Sequence, residues 1–115
     1  MSRPVVRLER CAEGRLAKAY PVNAHDVEVR IDDRLPGAEL SEVLGAAVAQ
    51  ALSSDPGCRR VVFATEVDDV ATIATAEAAG FRYVVDVDLP GAQLSLLVAE
   101  PDWVTAADLD RVPGT

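Results

Sequence analysis

Cys58 is followed directly by two arginines, and a thiol beside guanidinium groups is the arrangement that lowers a cysteine pKa and makes a nucleophile. No basic partner accompanies it. The one histidine, His25, falls in the polar run Asn23-Ala24-His25-Asp26, which reads as a turn, so Cys58 and Cys11 are read as reduced structural thiols and His25 as an exposed turn residue. Two acidic pairs, Asp32-Asp33 and Asp68-Asp69, stand at strand ends. A divalent cation could sit on such a pair, but helix capping and solvation account for both with fewer assumptions. Glu28 alternates with Val27 and Val29, which puts a carboxylate on the polar face of a strand. No Cys/His set with zinc spacing, no phosphate-cradling P-loop, no dinucleotide-binding glycine pattern and no Gly-x-Ser-x-Gly elbow occurs.

Hydrophobic spacing predicts the elements that carry these groups. Val27-Glu28-Val29-Arg30-Ile31-Asp32 alternates strictly, with Val27, Val29 and Ile31 on one face. Val5 to Glu9 and Leu16 to Tyr20 read as two earlier strands around a Glu13-Gly14 turn, giving an antiparallel meander of three. After Asp33-Arg34-Leu35-Pro36-Gly37 the apolar positions are Leu40, Val43, Leu44, Ala47, Val48, Ala51 and Leu52, the stripe of an amphipathic helix. Glu39 and Glu42 lie in its first turn, where the helix dipole favours carboxylates. Arg60 to Thr65 is the near-continuous apolar run of a central strand covered on both faces. Asp68 or Asp69 caps a second helix whose buried stripe is read as Val70, Ile73, Ala74 and Ala78, and Gly80 stops it. Phe81 to Leu89 and Leu94 to Val98 form an antiparallel pair around Pro90-Gly91. Trp103 packs the tail, near a short helical turn at Ala106 to Leu109. The order β-β-β-α-β-α-β-β within one domain, residues 1–115, predicts an α/β (α+β) fold with a layered mixed sheet.

Charge and length narrow the partners. The net charge of -8 repels phosphate backbones and anionic lipid, so neither nucleic acid nor membrane is an expected partner. No apolar run approaches the roughly 20 residues that cross a bilayer, and no secretory signal is evident, which predicts a cytoplasmic protein. Lys18 is the sole lysine among eleven basic residues, a bias that points to a GC-rich bacterial genome.

The stretch from Asp69 to Phe81, together with Val87-Asp88-Leu89-Pro90 and Leu94-Ser95-Leu96-Leu97-Val98, resembles the C-terminal half of the GNAT superfamily of acyl-CoA-dependent N-acyltransferases. The resemblance covers residues 5 to 99, with Glu77, Gly80 and Phe81 at matching places. It implies a GNAT-like mixed sheet without the family's first strand and first two helices. It implies that acetyl-CoA or another acyl-CoA lies between the strands that contain Val27 and Phe63. Pyrophosphate would rest on the backbone of Gly37, Ala38 and Glu39, with Arg34, Ile31 and Asp69 completing the cofactor side. The family's loop reads Gln/Arg-x-x-Gly-x-Gly/Ala; Arg34 and Gly37 match, while Glu39 stands where a small residue is usual. Glu28 takes the place of a general base. Ala76 takes the place of the tyrosine with which many members protonate the leaving thiolate. The absent helices normally wall the acceptor pocket, and the absent strand exposes a sheet edge, so a homodimer is expected. Two functions follow: an N-acyltransferase in which the amine attacks the thioester directly, or a non-catalytic dimeric module that binds a protein partner or small ligand.

Overall fold

The structure, a computed structural model, describes residues 5–31 and 34–101. Asp32, Asp33, Trp103 and the turn expected at Ala106 to Leu109 lie outside the described residues. Along the chain come β1 (Val6–Arg10), a single 3-10 turn (Cys11–Glu13), β2 (Val27–Ile31), α1 (Gly37–Ser54), β3 (Val61–Glu66), α2 (Val70–Ala78), β4 (Arg82–Leu89) and β5 (Ala92–Ala99). The strands form one mixed sheet in the order β1-β2-β3-β5-β4. β2 and β3 are parallel, with α1 as their crossover, and every other neighbouring pair is antiparallel.

The α/β class and the mixed sheet agree with the sequence, but the β-β-β-α-β-α-β-β order holds one strand too many. Leu16 to Tyr20 makes turns, not a strand: the N–H groups of Ala19 and Tyr20 both bond to the Leu16 carbonyl. A strand would set Lys18 on the same face as Leu16 and Tyr20, whereas a helical turn keeps Leu16 and Tyr20, four residues apart, on one side and turns Lys18 away. Pro21 then removes a donor that a ladder would need.

Both helices lie on the same face of the sheet. Leu40, Leu44, Ala47 and Ala51 of α1 and Ala76 of α2 pack there with Val29, Val61, Phe63 and Leu97. The segment between β1 and β2 covers the opposite face. Leu16, at 0% exposure, and Cys11 pack there on Val62, Leu94, Leu96 and Val98. Asp26 and Arg60 tie that segment down. Arg60 donates to Asp26 Oδ2 from Nη2 at 2.6 Å and from Nε at 3.0 Å, reaches the Tyr20 hydroxyl and the Pro21 carbonyl, and lies 5.6 Å from the Tyr20 ring centroid.

α1 follows its predicted stripe, whereas α2 is rotated from it. Val70 is 72% exposed, Ala74 and Ala78 are exposed, and the inward residues are Ile73, Ala76 and Ala79. Alanine is too small to dictate which way a short helix turns, so the docking is set at its ends. At the start, Asp69 caps Thr72. At the end, the Phe81 N–H bonds to the Ala76 carbonyl and the Gly80 N–H to the Glu77 carbonyl, a Schellman closure with Gly80 at φ +104°. Phe81 is thereby buried edge-on against Phe63, ring centroids 6.1 Å apart. A Cβ at Gly80 would meet nothing within 4 Å, so only backbone strain opposes one there. Gly80→Ala is expected to lower unfolding free energy by about 1–2 kcal/mol, read from urea midpoints.

Candidate functional site

β2 and β3 are joined for only part of their length. Val27 opposes Val61, Glu28 opposes Val62 and Val29 opposes Phe63, and there the ladder ends. β3 runs on to Glu66, held by β5, while Arg30 and Ile31 stay with β1. Each strand follows its outer neighbour, so the two part, and a cavity of about 370 Å³ opens between them. Val29, Arg30 and Ile31 line it from β2, and Phe63 through Glu66 from β3. Asp69 and Thr72 of the α2 end, Arg34 and Leu35 before α1, Leu40 of α1, Leu94 of β5 and Arg15 from the covering segment complete it.

The start of α1 adds backbone donors. Its cap residue, Pro36, has no N–H, and no side chain caps the helix. The first helical bond runs from the Leu40 N–H to the Pro36 carbonyl at 2.8 Å. The N–H groups of Gly37, Ala38 and Glu39 are therefore left without helical acceptors at the positive end of an 18-residue helix, which suits an anion. Arg34 is exposed just before them and makes no ion pair with a described residue. Gly37 sits close to α2: a Cβ there would lie 3.4 Å from Thr75 Oγ1. The slot mixes apolar residues with Arg15, Arg30, Thr65, Glu66 and Asp69, and it leads to uncapped N–H groups and the Arg34 guanidinium, an arrangement with room for a polar-studded arm that ends in an anion.

The residues singled out by sequence divide in three. Ile31, Arg34 and Asp69 come together in the cavity wall. Gly37, Ala38 and Glu39 form the adjoining first turn of α1, exposed. Glu28 differs. The face on which it lies is covered, not solvated, and Glu28 is 2% exposed. Its Oε2 accepts from Arg15 Nη2 at 2.7 Å and Nε at 3.3 Å, with Arg30 Nε at 3.9 Å. Glu28 does not line the cavity; Arg15 does. Asp69 is likewise engaged, its two oxygens accepting from the Thr72 N–H at 3.2 Å and the Thr72 hydroxyl at 2.7 Å.

Arg15 and Thr72 were not foreseen. The Asp69-x-x-Thr72 spacing is a legible cap signal for Thr72. Nothing local marks Arg15, because its partner lies thirteen residues away and only the turn at Leu16 brings the two together. The other reactive groups lie outside the cavity lining. Burial pushes the Cys58 thiol up, against the lowering expected from its arginine neighbours, and its Sγ donates to the Arg60 carbonyl. Burial, then the Glu28 and Asp26 carboxylates, push Cys11 up to about 12. His25 Nδ1 is 2.7 Å from Asp55 at the end of α1, and this hydrogen bond holds the Asp55 carboxyl below its usual value. Tyr83, half-exposed on the outer strand β4, donates to Asp86, which raises its pKa. Ala76 is fully buried. Among the described residues no group of three or more His, Cys, Asp or Glu is placed to hold a metal ion, and no helix is long and apolar enough to cross a membrane.

The model of the acetyltransferase (GNAT) domain matches residues 3–89. The chain belongs to the GNAT acetyltransferase family. Its fold is similar to that of an uncharacterized protein from Bacillus halodurans, with a TM-score of 0.70 at 21% identity over 83% of this chain and 51% of that one. It is also similar to aminoglycoside acetyltransferase AAC(6')-Ib solved with coenzyme A, at 0.62 and 14% identity over 76% of this chain and 53% of that one. NAA60 of Arabidopsis thaliana, solved with acetyl-CoA, gives 0.53 and 18% over 85% and 64%. The GNAT chain thus spans about half to two-thirds of the length of these structures. A comparison with curated proteins gives no match. The parted strands are at the place where the GNAT resemblance put the cofactor.

Proposed function

We propose that this GNAT domain binds an acyl-CoA in the gap between β2 and β3 and transfers the acyl group to an amine. The observation that carries the reading is the ending of the β2–β3 ladder after Val29 and Phe63, beside a helix start without a cap. When bound, the cofactor supplies an activated acyl thioester. The chain's own contribution is positional. The N–H groups of Gly37, Ala38 and Glu39 and the Arg34 guanidinium hold pyrophosphate, the strands' apolar residues hold the arm, and Asp69 fixes α2 through Thr72. Glu28 takes the proton from the attacking amine, directly or through water, after Arg15 moves aside. The reading includes a cytosolic setting and a homodimer. The buried free thiols Cys11 and Cys58 suit a reducing compartment.

A second reading, binding without catalysis, is favoured by one observation. The base candidate Glu28 is already engaged by Arg15, while Ala76 offers no acid. Ligand binding is common to both readings and is tested first. Acetyl-CoA at a hundredfold excess over its dissociation constant is expected to add ~2.7 kcal/mol to native stability, seen as a rise in Tm. Gly37→Asp should abolish that rise, because it sets a carboxylate among the phosphate donors while its Cβ is tolerated. Absence of any rise with acetyl-, succinyl- and longer acyl-CoA would overturn the cofactor reading.

A further inference from the structure

The cavity between β2 and β3 runs through the sheet. Leu40, which lines it from α1, belongs to the core on the helical face, whereas Leu94 belongs to the core under the segment between β1 and β2. The N–H groups that suit pyrophosphate lie at the start of α1, on the first of these faces. An arm seated there and passed between the strands ends on the second. Arg15 lies on that side, lining the cavity from the covering segment with its side chain 33% exposed. Arg30 stands beside it: alternation along β2 puts Arg30 on the face of Glu28, and its Nε is 3.9 Å from Glu28 Oε2.

The charge of this end contrasts with that of the whole chain. The net charge is -8, yet three arginines line the cavity against two carboxylates, Glu66 and Asp69. Asp69 is occupied by Thr72, and Arg34 belongs to the pyrophosphate end. Arg15 and Arg30 remain, and the carboxylate that lines the cavity on their face is Glu66, in alternation with Val62 and Ala64. A pyrophosphate at α1 accounts for neither arginine. Arg30 is shared between Glu9, at 3.4 Å, and Glu28. Arg15 donates from Nη2 and Nε to one oxygen, Glu28 Oε2. Drawing Arg15 off Glu28 leaves a carboxylate at 2% exposure with Arg30 near it, which is costly unless the guanidinium gains something in return. A neutral acyl chain returns nothing. A chain that ends in a carboxylate does, because Arg15 then exchanges one carboxylate for another through the same planar fork.

We propose that the acyl group taken by this site carries a terminal carboxylate, as in a dicarboxylic acyl thioester, and that Arg15 reads it by moving from Glu28 to the acyl carboxylate. The inference rests on the acyl-CoA reading above and names its acyl class. The exchange also explains how Arg15 comes to leave Glu28: the base is freed for the amine proton only when a chain of the right charge is in place.

The test is isothermal titration calorimetry of the 115-residue chain against CoA and against thioesters of CoA in matched pairs: malonyl with propionyl, succinyl with butyryl, glutaryl with pentanoyl. No amine is present, so the ratio within a pair reports the acyl chain and not the acceptor. At least one carboxylated member is expected to bind roughly tenfold or more tighter than its neutral match. Glu28→Gln removes the competing carboxylate and should widen that ratio. Arg15→Met should abolish it. Because Arg15→Met strands Glu28, the double variant Arg15→Met with Glu28→Gln is measured too, with circular dichroism to show that it folds, and it should show the same loss. Comparing ratios cancels any general effect of a substitution on cofactor binding. Equal affinities within all three pairs overturn the inference and leave the acyl-CoA reading in place. A preference that survives in the double variant, or one that Glu28→Gln narrows, overturns Arg15 as the reader. Failure of CoA and of all six thioesters to bind overturns the acyl-CoA reading, and this inference with it.

Discussion

Arg60→Met is expected to destabilise the fold by about 3–5 kcal/mol, the largest loss from any single side chain discussed. Asp26 is 1% exposed, and its Oδ2 accepts two Arg60 bonds and the Asn23 N–H. Its Oδ1 is already without a hydrogen-bond partner among the described residues. Methionine fills much of the arginine's volume but leaves a carboxylate in a nearly dry site with one backbone donor. It also frees Tyr20 and the Pro21 carbonyl, so the segment that covers one face of the sheet loses its fastening. Asp26→Asn in the Arg60→Met background should recover a large part of the loss, because the uncompensated charge goes with it. Urea unfolding of the single and double variants measures both, and a loss below about 1 kcal/mol for Arg60→Met would show that the pair contributes little.

Glu28→Gln should lower kcat/KM for acyl transfer by about 10²–10⁴-fold, while leaving acetyl-CoA binding unchanged. Glutamine keeps an oxygen that can accept from Arg15 and nearly keeps the volume, so the covered face persists, but it cannot take a proton from an ammonium or amine. Thermal stabilisation by acetyl-CoA is the control, since the N–H groups proposed to hold pyrophosphate lie on α1, away from Glu28. Unchanged transfer by Glu28→Gln would remove Glu28 from the chemistry, and absent transfer in the native chain, with cofactor binding intact, would leave the binding-module reading.

What the sequence disclosed depended on how much each segment's pattern overdetermined its outcome. α1 was legible because seven apolar residues keep one helical stripe and Pro36-Gly37 marks its start; the buried residues Leu40, Leu44, Ala47 and Ala51 all lie on that stripe. β2 was legible because its alternation is strict. Leu16 to Tyr20 was misread because alternating small residues satisfy a strand template without supplying anything to bury, and the covered sheet face that captures Leu16 is built from β3 and β5 much later in the chain. The facing of α2 was misread for a related reason: alanines fit either side. That Ile31, Arg34 and Asp69 share one cavity wall was reachable through family likeness and local pattern. The engagement of Glu28 was not, because a long-range ion pair leaves no periodic trace in either partner's neighbourhood.

The short β2–β3 ladder has a mechanical consequence. The sheet is two plates, β1–β2 on one side and β3–β5–β4 on the other, joined in the sheet itself by only three facing residue pairs. Off the sheet they are joined by the Arg60–Asp26 clasp, the α1 crossover and the segment that packs Cys11 and Leu16 on β3 and β5. Any molecule that fills the slot touches both sides, so its occupancy acts as a further rivet, and the domain's unity as a folding unit becomes linked to what it holds.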